Sequence, residues 1–169
     1  MRGRVALALL LAAGVAGCSV RVNTRSAARS ADERAVVAAG EALFRAMEGR
    51  DTAAIRALLH PDLRITVVRV GDGEPQIRSS TASDFIASIG RAQVPIVERM
   101  WEPRVEVGRD FASLWAPYDL HRGAQFSHCG HDAFHFARLQ GRWVIVGLSY
   151  TVQPTGCEPA PRGVRPLPG

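Results

Sequence analysis

The chain has 169 residues, 47% hydrophobic and 22% charged, a mix suited to one domain with a real core. Its formal charge is +5, and every cation is arginine. Arg2, Arg4, Arg21, Arg25 and Arg29 account for the whole excess, because residues 32–169 hold 16 arginines and 16 acids. The body is therefore near neutral, and the basic balance does not mark a nucleic-acid surface.

Residues 1–17 have the layout of an export signal. Arg2 and Arg4 precede an apolar run from Val5 to Ala13 that is too short for a permanent membrane span. "VAGC" at Val15 to Cys18 resembles the lipobox of bacterial lipoproteins. That resemblance implies cleavage before Cys18, lipidation of Cys18 and, with Ser19 following, an outer-membrane protein of the cell envelope facing the periplasm. An ordinary cleaved signal with a stray cysteine is the alternative. Residues 18–30 read as the lipidated cysteine and a linker, whose arginines can lie against anionic headgroups. Two cysteines are then left, and in an exported chain a Cys129–Cys157 disulfide is the default. Two separate thiols are the other option.

A helix is expected after Ser30, where "SADE" has capping-box spacing. Val36, Gly40, Leu43, Phe44 and Met47 share its inner face, and Gly49 suits its end. Asp51 can cap a shorter helix with Ile55, Leu58 and Leu59 inward, stopped by Pro61. Leu63, Ile65 and Val67 alternate as a strand, and "GDGEP" at 71–75 is a turn or loop. "TASDFIASIG" predicts a third helix through Phe85, Ile86 and Ile89. The period then becomes two: Trp101, Val105 and Val107 point one way, Glu102, Arg104 and Glu106 the other. Phe111–His121, Phe126–Arg138 and Arg142–Val152 are further extended runs. Residues 153–169 carry five prolines and read as a mobile tail. Helices ahead of an antiparallel sheet predict an α+β domain with a conical pocket beneath the helices.

Residues 115–151, "WAPYDLHRGAQFSHCGHDAFHFARLQGRWVIVGLSYT", resemble the last three strands of the nuclear transport factor 2-like superfamily. The nearest flavour is SnoaL-like and ketosteroid-isomerase-like. "AGEALFRAMEGRDTAAIRALLHPDLRIT" resembles its first two helices and first strand. The resemblance covers residues 31–152. It implies a cone of about three helices on a curved antiparallel sheet, and homodimers through the open sheet face as an association seen among its members. It assigns no reaction, since the superfamily holds isomerases, dehydratases, cyclases and transport factors.

"FSHCGHDAFHF" at 126–136 is the densest polar stretch. A metal site would need His131 and His135 together, but four strand residues span about 13 Å, too far for one ion. No metal or cofactor is expected. A turn at Gln140-Gly141 sets Arg138 opposite Trp143, Phe136 opposite Ile145 and Phe134 opposite Gly147. It puts Phe134, Phe136, Asp132 and His128 on the helix-covered face, with His131 and His135 on the other. A turn at Gly123-Ala124 sets Asp119 opposite His128 and Trp115 opposite Asp132. Trp115, Phe134, Phe136, Trp143 and Ile145 are then the expected pocket wall. His128, Asp119 and Asp132 are the candidate acid–base group, while Tyr118 points away. A bulge near Pro117 would shift that alternation. Two functions stay open: a non-catalytic module holding a small apolar or protein ligand, or an isomerase or dehydratase/cyclase-type lyase using His128 and Asp119.

Overall fold

The computed structural model describes residues 29–167. The expected signal segment and Cys18 lie outside the described residues. Helix α1, Ala31–Glu48, starts at Ser30, whose hydroxyl accepts from the Glu33 N–H while the Glu33 carboxylate accepts from the Ser30 N–H. It buries Val36, Gly40, Leu43, Phe44, Ala46 and Met47. Asp51 caps α2, Thr52–Leu58, through the Ala53 and Ala54 N–H groups. Thr81 and Asp84 cap α3, Ala82–Gly90, reciprocally.

The strands are β1 Arg64–Arg69, β2 Gln76–Thr81, β3 Ile96–Met100, β4 Arg104–Val107, β5 Phe111–Arg122, β6 Gln125–Leu139 and β7 Arg142–Val152. They form one curved sheet in the order β2-β1-β7-β6-β5-β3, with β4 also paired to β5. The sheet is mixed: β1 runs parallel to β7, where an antiparallel sheet was expected. Two further elements differ from the sequence reading. Residues 76–81 form a strand whose side chains are mostly exposed, so they carry no apolar alternation to reveal it. The strand expected from Trp101 is interrupted. β3 ends at Met100, Glu102 takes a positive φ of 46°, and only Arg104–Val107 continues as β4.

The helices cover one face of the sheet, and the core lies between them: Leu43, Phe44 and Met47 from α1 meet Leu114, Phe134, Phe136, Ile145 and Leu148. Gln140 and Gly141 have φ of 50° and 77°, the left-handed pair that a tight hairpin needs. Beyond β7 the chain is stapled to the opposite face by a Cys129–Cys157 disulfide. It then reaches α1, where Arg165 Nη1 donates to Glu48 Oε2 at 2.6 Å. The tail is thus held at two points rather than free.

The disulfide closes a loop of 28 residues, worth about 3–4 kcal/mol in chain-entropy terms. Reduction should lower the unfolding free energy toward that extent in denaturant melts. An unchanged melt after reduction and thiol blocking would show that the bridge carries no stability.

Candidate functional site

Two one-residue bulges decide what faces the space under the helices. From the Gly123-Ala124 turn, Arg122 pairs with Gln125 and His121 with Phe126, as expected. Ser127 is then extra, and the pairing resumes as Leu120 with His128 and Asp119 with Cys129. Every residue of β5 beyond that point changes face relative to the expected register. Val146 is a second extra residue, so Phe134 pairs with Leu148 rather than with Gly147.

The first bulge corrects three expectations. Asp119 does not meet His128; it lies on the outer face, buried under the tail. Arg99 grips it with two hydrogen bonds, Nε to Oδ1 at 2.8 Å and Nη2 to Oδ2. His121 Nε2 lies 3.5 Å from the same carboxylate, and Arg99 Nη1 donates to the Arg165 carbonyl at 3.0 Å. Trp115 is outside the pocket too, 47% exposed and stacked on His131 at 5.1 Å. Tyr118 faces inward, not away. Its hydroxyl donates to the Thr151 carbonyl at 2.7 Å. Gly130, opposite Tyr118, leaves room for that carbonyl, which any Cβ there would strike.

Of the remaining expected wall residues, Phe134 lines the cavity. Phe136 and Ile145 are fully buried in the core beside it. Trp143 lies under Arg138, whose guanidinium is 4.4 Å from the ring centroid, away from the cavity. His131 and His135 are exposed on the outer face, and among the described residues no three metal-binding side chains cluster.

The cavity has a volume of about 670 Å³. Its walls are apolar: Leu43, Phe44 and Met47 from α1, Phe85 and Ile89 from α3, and Leu120, Phe134 and Leu148 from the sheet. The deep end is not. Glu98 on β3 and Asp132 on β6 are buried there, 7% and 2% exposed, and their carboxyls hydrogen bond to each other. Burial pushes both pKa values up, and for Glu98 the neighbouring Asp132 adds to it. A proton shared between the two carboxyls relieves the repulsion that their burial creates. Among the described residues Asp132 Oδ2 has no hydrogen-bond partner.

Tyr150 pairs with Asp132 across β6 and β7 and lines the cavity; burial pushes its hydroxyl up to about 12. Tyr118 stands edge-on to Tyr150 at 6.3 Å and to His128 at 5.8 Å, and burial raises its pKa as well. His128 lies toward the open end, four residues along β6 from Asp132. Its Nδ1 is 3.0 Å from Ser127 Oγ, and its buried Nε2 has no partner among the described residues. Burial, then Arg69 and Arg122, lower its pKa to about 4, so the ring is neutral.

No family model matches the chain, and no curated protein does. Solved structures do. An NTF2-like protein from Cytophaga hutchinsonii aligns with a TM-score of 0.59 at 14% identity, over 73% of this chain and 99% of its own. The fold is nuclear transport factor 2-like. An NTF-2 like protein of unknown function from Silicibacter pomeroyi aligns at 0.54 and 20% identity, over 74% and 100%. A candidate dehydratase of the NTF2-like family from Streptomyces avermitilis aligns at 0.55 and 17%, over 72% and 95%. At these identities the likeness is one of fold. The nuclear transport factor 2-like cone thus frames a cavity whose polar groups this chain supplies itself. Glu98 escaped the sequence reading. Its signal was the alternation Ile96, Glu98, Met100 in "IVERM", which places a carboxylate on the inner face of a strand.

His128 and Asp132 should leave opposite marks on stability. The folded pKa of His128 lies below its unfolded value of 6.5, so its contribution is present above pH 6.5 and is lost as pH falls toward 4. Asp132 is raised from 3.8 to about 7, so its contribution is present below pH 3.8 and is lost as pH rises toward 7. In denaturant melts across pH 4–7, wild type minus His128→Gln should rise with pH. Wild type minus Asp132→Asn should fall. Parallel profiles would overturn the assignment.

Proposed function

We propose that this chain is an envelope lipoprotein whose domain takes up one small, mostly apolar molecule with a hydroxyl or carbonyl at its inner end. The supporting observation is the cavity itself: apolar walls of ligand-binding size leading to the Glu98–Asp132 pair and the Tyr150 ring at the closed end. The pair's proton can be donated to a ligand oxygen, and Asp132 Oδ2 can accept from a ligand hydroxyl. Such a ligand satisfies groups that are costly to bury alone.

A second reading, an isomerase or dehydratase-type lyase, is favoured by one specific feature. Two buried carboxyls sharing a proton can take a proton from carbon and return one to oxygen within the same site. In this reading Asp132 is the base, Glu98 the proton holder and Tyr150 the donor to a carbonyl. Asp119 has no part in it, and His128 stands toward the mouth. The candidate dehydratase among the structural neighbours is consistent with such chemistry but does not assign it. Association through the outer sheet face, as a homodimer, accords with exposed Phe111 and Trp115 there and is compatible with either reading.

Binding is tested with N-phenyl-1-naphthylamine, an uncharged dye that fluoresces in apolar sites. One dye should bind per chain. Val67→Trp, which fills the cavity from a half-buried position, should weaken it about tenfold, as expected when a well-packed apolar pocket is occupied. Binding that survives Val67→Trp would place the dye elsewhere and sink the proposal. The anchor is tested by mass spectrometry of the membrane fraction, which should find a mature amino terminus at a diacylated Cys18. An unprocessed terminus or an unmodified Cys18 thiol would refute it.

A further inference from the structure

The rim of the cavity carries charge of one sign. β1, β5 and β7 all end, and β6 begins, at the open end of the cone, as their pairing requires: Arg69 with Val152, and Arg122 with Gln125. Arg69 and Arg122 are the last residues of β1 and β5, and both line the cavity. Arg91, the residue after α3, lines it from the helix side. Among the described residues the only acids in the lining are Glu98 and Asp132, buried deep in the cone.

The ion pairs found among the described residues use Arg45, Arg99, Arg109, Arg138 and Arg165, and none of the three rim arginines. Arg91 does feel the Asp84 carboxylate of its own helix. Arg69 and Arg122 instead act on His128, which they push toward its neutral form. Residues 32–169 balance in charge, so two guanidinium groups that line the cavity and act on one neutral imidazole form a local excess. His128 Nε2 adds a buried group that lacks a partner among the described residues.

We infer that the ligand is an apolar carboxylic acid, bound with its chain in the cone and its carboxylate between Arg69 and Arg122 at the mouth. The inference rests on the proposed small-molecule reading and narrows it. Guanidinium forks match a planar carboxylate in geometry as well as in charge. The apolar walls take the chain, and the inner carboxyl pair with Tyr150 meets a polar group at the far end. Arg91 adds a weaker, longer-range attraction. Both principal arginines are exposed, so the empty rim costs little and the full-length fold does not depend on it.

Titration calorimetry of the full chain with decanoate, 1-decanol and decyltrimethylammonium separates the claims. Decanoate should bind about tenfold more tightly than decanol, and the cation weakest, as expected for two partly exposed guanidinium contacts. The double variant Arg69→Gln, Arg122→Gln should remove the preference for decanoate while decanol binding stays unchanged. Arg142→Gln, at the exposed start of β7, should change nothing. Equal binding of the acid and the alcohol to wild type, or a preference that survives the double variant, would overturn the carboxylate assignment and leave the apolar cavity standing. Failure of all three probes would overturn the small-molecule reading, and this inference with it. Sedimentation with anionic vesicles that requires Arg69 and Arg122, without any preference for decanoate, would make the rim a membrane contact and also refute the inference.

Discussion

The extra residue at Ser127 is the constraint on which the site depends. In a strand pair the side chains alternate with period two, so one inserted residue exchanges the two faces of everything beyond it. Because Leu120 rather than Asp119 pairs with His128, Tyr118 enters the cavity and Asp119 leaves it. The second extra residue, Val146, does the same for β7. Ile145 is inward before it, and Leu148, Tyr150 and Val152 are inward after it. Without that shift Tyr150 would stand outside, and the carboxyl pair would lose its neighbour across the ladder.

The buried carboxyls show how the cone sets chemistry by depth. Two ionised carboxylates at hydrogen-bond distance in an apolar interior are prohibitively costly, and a proton held between them removes most of that cost. Each carboxyl comes from a different strand, Glu98 from β3 and Asp132 from β6, with β5 between them. Closing the core therefore brings them together, and no local sequence motif does. Toward the mouth the balance reverses. His128 is kept neutral by burial and by neighbouring cations, with no acid in the adjacent lining. One cavity thus offers proton-holding acids at its floor and positive potential at its rim, separated by apolar wall.

Much of this fold was legible in the sequence. The three helices showed themselves through one capping box, the Asp51 cap and 3.6-residue periodicity, and the β6–β7 hairpin through its turn and alternation. The face of β6 followed from Phe134 and Phe136, which is why His128 and Asp132 were expected on the inner side. What could not be read was set by pairing between distant strands. Nothing in "AQFSHCG" announces that Ser127 is extra, since bulges have no strict residue requirement away from glycine forms. β2 is mostly exposed on both faces and so leaves no alternation. Glu98 was not singled out because a lone carboxylate in an apolar strand carries no signal of its own; Asp132, 34 positions later, gives it a buried partner.

The outer face explains how the register is held against slippage. A one-residue slip of β6 against β5 would carry His128 and Asp132 out of the cavity and place Cys129 and His131 in it. Two features oppose that slip and a third fixes β5 to β3, and all lie on the outer face. Cys129 is covalently fixed to Cys157. Asp119, its partner on β5, is gripped by Arg99 of β3, whose remaining donor reaches the Arg165 carbonyl of the tail. Trp115 stacks on His131 across the same strand pair. Asp119 therefore serves the cavity only indirectly. Its buried charge is paired across β3 and β5, which fixes β5 in place, and unpairing it is expensive. The sheet thus divides its labour by residue parity. Even-numbered positions of β5, and of β6 from His128 onward, furnish the chemistry, while the odd-numbered ones, with the tail stapled over them, hold the strands where that chemistry meets.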